Sequence, residues 1–118
     1  MYEIEFYEDE RGFSDVREFI NELDMKAETN KDARINRNKI VAYLDALEEM
    51  GTQIGEPATK KLEGEIWELR PLSNRILYAY FKDGKYLLLH HFVKKTKKTP
   101  KSEIKKAQRE LEDWIRRN

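Results

Sequence analysis

Cysteine is absent from the 118-residue sequence, which excludes a disulfide framework, a thiolate metal site and a cysteine nucleophile. Stability must come from packing. Long apolar runs are missing too: nothing approaches the roughly 18 residues of a membrane span. The opening Met1-Tyr2-Glu3-Ile4-Glu5 has neither the basic nor the apolar region of a secretory signal, so a cytoplasmic location without membrane contact is expected. There is no glycine-rich phosphate loop, no G-x-S-x-G elbow and no H-E-x-x-H pair, which argues against nucleotide-driven and metal-driven chemistry. The only two histidines, His90 and His91, are neighbours at the end of a strand pattern. Their side chains therefore point to opposite faces and cannot meet at one metal ion. No metal and no cofactor is expected.

What is present is a chain of single-domain size, 39% hydrophobic and 39% charged, able to form one packed core under a strongly ionised surface. One domain spanning residues 1–118 is expected. The formal net charge is zero, yet residues 1–30 carry ten acids against three bases, a net of −7 that leaves +7 on the remainder. Much of that excess lies between Lys94 and Arg109, where eight cations face only Glu103. So dense a run reads either as an electrostatic footprint for phosphate or an acidic partner, or as a solvated helix face neutralised by the acidic N-terminal part.

Tyr2, Ile4 and Phe6 alternate with Glu3 and Glu5, the period of a half-buried strand. Ser14 caps a helix with Val16, Phe19, Ile20 and Leu23 on one side. A second helix aligns Ile40, Tyr43, Leu44, Leu47 and Met50 and stops at Gly51. An irregular connection follows to Gly64. Three strands are then predicted over 66–72, 75–82 and 86–93, the last two joined by the hairpin signal Asp83-Gly84. Thr99-Pro100, read as N-cap and first helical residue, opens a final helix with the stripe Ile104, Ala107, Leu111, Trp114 and Ile115. The pattern is βααβββα, an α+β fold with a small, largely antiparallel sheet, helices on one face and a cationic face opposite.

The residues left for chemistry are cations at strand ends: Arg70, Arg75, Lys94 and Lys95. Guanidinium and ammonium groups hold phosphate oxygens and stabilise the charge that builds up in phosphoryl transfer. In RNA the 2′-hydroxyl is an internal nucleophile, so such a surface needs none of its own. Tyr78, Tyr80 and Tyr86 offer faces for base stacking, or pack in the core; Glu68 is a general base, or a salt-bridge partner of the arginines.

The ordered set Lys60-Lys61-Leu62-Glu63-Gly64, Ile66-Trp67-Glu68-Leu69-Arg70, Arg75-Ile76-Leu77-Tyr78-Ala79-Tyr80 and the run from His90 to Pro100 through Phe92-Val93-Lys94-Lys95-Thr96-Lys97-Lys98-Thr99 resembles the phage-type HigB branch of the RelE/ParE toxin superfamily. The likeness is most specific from Lys60 to Arg109. It implies the toxin of a type II toxin–antitoxin pair: a metal-independent endoribonuclease that cuts mRNA, typically on the ribosome. It also implies a helix-turn-helix, HigA-like antitoxin, through which alone operator DNA is contacted. Carried over by position, Arg70 and Arg75 are catalytic, and Lys94 and Lys95 fall in the basic stretch after the last strand. His91 or Glu68 is expected to substitute as acid or base, and Lys61, Lys94, Lys95, Lys98 and Tyr78 are expected to bind RNA. The sequence departs from RelE proper at Glu68, where a lysine is usual, and in having no C-terminal tyrosine. A ParE-like toxin that poisons DNA gyrase without cleaving RNA is the alternative within the superfamily, and a small non-toxic nucleic-acid-binding or structural domain is the third reading.

Overall fold

A computed structural model describes residues 1–118. The order of elements is β1 (Glu3–Phe6), α1 (Asp15–Lys26), α2 (Lys31–Met50), a 3-10 turn (Gly51–Ile54), β2 (Thr59–Lys61), β3 (Trp67–Leu69), β4 (Asn74–Tyr80), β5 (Lys85–Val93) and α3 (Lys101–Arg117). The strands form one sheet in the order β1-β5-β4-β3-β2, antiparallel throughout except that β1 runs parallel to β5. The fold is α+β. No helix is long and apolar enough to cross a membrane.

Local signals set the boundaries of the elements. Ser14 Oγ accepts from Arg17 N at 3.2 Å and starts α1, while Asn30 Oδ1 accepts from Ala33 N and starts α2. Gly51, at φ +59°, ends α2. A side chain at Gly51 would collide with Tyr2 and the Tyr86 hydroxyl, so this glycine also lets helix and sheet approach closely. Asp83 and Gly84 both adopt positive φ in the β4–β5 hairpin.

Two features depart from the expected arrangement. The connection after Gly51 contains β2, a three-residue edge strand too short and too rich in lysine to show as a periodic pattern. The helices also do not share one face. Val16, Ile40 and Leu47 of α1 and α2 pack on Leu69, Ile76, Tyr78, Tyr86 and Leu88, whereas Ala107 and Leu111 of α3 pack on Ile66, Leu77, Ala79, Leu87 and Leu89 on the other side. A sheet whose central strands are apolar on both faces needs two covers, because each fully buried leucine is worth about 1.5–3 kcal/mol. The cationic surface is therefore the part of the second face that α3 leaves open.

Candidate functional site: a cationic cavity at the start of the last helix

The cavity is made by strand alternation. In β3, Trp67 and Leu69 turn toward α1 and α2, so Glu68, and Arg70 just beyond the strand, turn the other way. In β4, Arg75 lies across from Phe92 on that same face. The β5–α3 loop, Lys94 to Pro100, runs round the opening. Together they enclose about 400 Å³ lined by Glu68, Arg70, Arg75, Phe92 and Val93 of β5, the loop residues 94–100 and Glu103. An adjoining hollow of about 490 Å³, reached past Arg70, Lys97 and Lys98, is bordered by Lys60, Lys61 and Lys101.

Glu68 organises the floor. Its side chain is 1% exposed. Oε1 accepts from Arg70 Nε at 2.9 Å and lies 3.9 Å from Arg75 Nε, while Oε2 accepts from the Thr99 hydroxyl. A buried carboxylate requires such partners. This need also displaces the expected cap: Thr99 gives its hydroxyl to Glu68, Pro100 takes the N-cap position without a side-chain bond, and α3 begins at Lys101. Arg75 Nη1 donates to the carbonyls of Leu72 and Asn74, both at 2.8 Å. These bonds brace the β3–β4 turn, in which Leu72 has φ +61°. Burial pushes the Arg75 pKa down, the Glu68 carboxylate opposes that shift, and Arg70 reinforces it. Nη1 and Nη2 of Arg70 make no bond within the chain and remain free to grip an anion.

Glu68, Arg70, Arg75, Lys94, Lys95 and Lys98 are thus brought together, with Lys61 in the adjoining hollow. Two expected residues are not. Tyr78 is fully buried against α1 and α2, its hydroxyl 2.6 Å from Thr59 Oγ1, and burial pushes its pKa up to about 12; it cannot stack on a base. His91 lies on the face opposite the arginines, its ring stacked on Phe19 at 3.5 Å. Asn74 Nδ2 donates to Asn36 and to the Pro71 carbonyl, so Asn74 Oδ1 is left to accept from His91 Nε2. The histidine on the cavity side is His90, buried between Glu103 and Glu110.

Sequence reasoning missed Phe92, Thr99 and Glu103 as cavity residues. Alternation signals that Phe92 and His90 share a face, until a β-bulge near Leu77 and Tyr78 disturbs it further along; Thr99 and Glu103 lie outside the sheet and carry no such signal. No group of three or more His, Asp or Glu side chains is placed to hold a metal ion.

His91 has a consequence for stability rather than for the cavity. Burial pulls its pKa from 6.5 down to about 4, with His90 adding to the effect and Asp15 opposing it. The folded state therefore resists a proton that the unfolded chain accepts, so stability falls as pH drops from 6.5 toward 4 and this contribution levels off below. In urea titrations, His91→Gln should show a shallower decline across that window. Equal slopes for the two proteins would contradict the assignment.

A family model described as phage derived protein Gp49-like matches residues 18–112. No curated protein matches the chain. Among solved structures, a chain of the YoeB-YefM complex from Staphylococcus aureus is similar with a TM-score of 0.50 at 15% identity, over 80% of this chain and 99% of that one. At that identity the likeness is one of fold.

Proposed function

The chain belongs to the phage-derived Gp49-like family, and from that premise we propose that it is the toxin of a type II toxin–antitoxin pair, a HigB-type, metal-independent endoribonuclease that cuts mRNA on the ribosome. The observation that carries this reading is the buried Glu68 holding Arg70 and Arg75 side by side beneath a rim of lysines. Such a constellation suits a phosphodiester: Arg70 offers a free fork for the nonbridging oxygens, Arg75 adds fixed positive charge beside it, and Lys94, Lys95 and Lys98 neutralise the flanking backbone. Lys61 extends the cationic path into the adjoining hollow. The solved structure of similar fold is a two-protein complex, YoeB-YefM, which supports a protein partner here. We assign that role to a HigA-like helix-turn-helix antitoxin that covers the cavity with carboxylates or with bulk and alone contacts operator DNA, the pair residing in the cytoplasm.

The test is a translation reaction on a defined message. Cleavage within the reading frame, leaving 5′-hydroxyl ends, is the expected result. Intact message together with inhibited DNA supercoiling would replace this reading with that of a gyrase poison.

A further inference from the structure

Attack by a 2′-hydroxyl requires a group that takes its proton. His91 is on the wrong face, and both oxygens of Glu68 are already engaged by Arg70 and Thr99. One other carboxylate lines the cavity. Glu103 sits in the first turn of α3, where the helix dipole favours a negative charge. Its Oε1 lies 2.8 Å from His90 Nε2, and its Oε2 has no hydrogen-bond partner in the chain. His90 is 1% exposed, and its Nδ1 lies 2.6 Å from Glu110 Oε1, two turns further along α3. Both bonds form together when each ring nitrogen carries a proton. A buried imidazole thus clamps Glu103 by one oxygen and leaves the other for the cavity. A network serving only to pin α3 to β5 would need one carboxylate on His90; the second, partly exposed and lining the cationic cavity, is what calls for a role.

We propose that Glu103 is the general base of this cavity, held in place by His90, an inference that rests on the endoribonuclease reading. Oε2 takes the proton of the 2′-hydroxyl as O2′ bonds to phosphorus. The P–O5′ bond breaks, and the departing oxygen takes a proton from an ammonium group of the Lys94–Lys98 loop. The products are a 2′,3′-cyclic phosphate and a 5′-hydroxyl end. Glu103 then releases its proton to water and the lysine regains one, which restores both groups.

Glu103→Gln tests this, because glutamine can still accept from His90 Nε2 but cannot take up a proton. With a defined message on translating ribosomes, cleavage should fall about 10²–10⁴-fold. Affinity for a 2′-O-methyl RNA of the same sequence should be at least that of the wild type, since the cavity loses a negative charge, and the protein should remain folded with at most a modestly lowered thermal midpoint. A Glu103→Gln protein that cuts at the wild-type rate overturns the assignment and leaves the endoribonuclease reading standing, whereas a wild-type protein that cuts no message removes both. Should Glu103→Gln not fold, Glu103→Asp decides: it keeps a carboxylate and should cleave faster than Glu103→Ala, and equal loss in the two overturns the proposal.

Discussion

Replacing Arg70 with alanine is expected to lower message cleavage by about 10²-fold or more, the usual cost of removing one donor aimed at developing charge, while the protein still folds. Arg70 is suited to the experiment because little of the fold depends on it. The only bond of its side chain within the chain is to Glu68, which keeps Arg75 and Thr99 as partners when the guanidinium is gone. Arg75 is a different case. Its side chain is 11% exposed and two of its bonds brace the turn at Leu72, so Arg75→Ala weakens the fold as well as the site. Arg75→Lys separates these effects in part, since an ammonium group keeps the charge but cannot reproduce the fixed fork. Cleavage rates read beside thermal midpoints distinguish the two arginines. A folded Arg70→Ala protein with full activity would remove Arg70 from the phosphate site.

Elements whose signals are local were legible in the sequence. Ser14, Gly51 and Asp83-Gly84 each act within a few residues of themselves, and β1 and α1 show their periods because the apolar residues of one side of each pack against the core. Arrangements set by distant partners were not legible. Nothing in Tyr2 to Phe6 specifies that β1 pairs with β5 in parallel, since the same alternation suits either direction. The stripe Ile104, Ala107 and Leu111 says that α3 has an apolar side but not which face of the sheet receives it. The cationic cluster was readable because arginines and lysines at strand ends are conspicuous and alternation puts Arg70 and Glu68 on one side. His90, Glu103 and Glu110 were opaque as a group. Their meeting depends on α3 crossing the second face at one particular angle, and Glu103 alone looked like a single acid in a basic run.

Glu68→Ala should have the largest effect on stability, about 3–5 kcal/mol, as expected when a buried ion pair loses one member and the other charge stays behind. Here two guanidinium groups, 24% and 11% exposed, would face each other without the carboxylate that separates them, and the Thr99 hydroxyl would lose its acceptor. Glu68→Gln keeps the shape and one acceptor oxygen, so it should remain folded with a lowered thermal midpoint. That variant also separates two roles for Glu68. A proton acceptor lost from a rigid site would lower the rate and leave RNA affinity and stability untouched. A carboxylate that positions the arginines gives another pattern: without its charge the cavity is more positive, so a 2′-O-methyl RNA binds at least as tightly, while cleavage slows because a neutral amide holds Arg70 Nε and the nearby Arg75 less firmly than a carboxylate. The geometry favours the second pattern, since neither oxygen of Glu68 is free to meet a hydroxyl proton. Chemical denaturation of Glu68→Ala and a paired binding and cleavage measurement on Glu68→Gln decide the matter. A Glu68→Ala protein with wild-type stability would show that Arg70 and Arg75 do not depend on this carboxylate for their place.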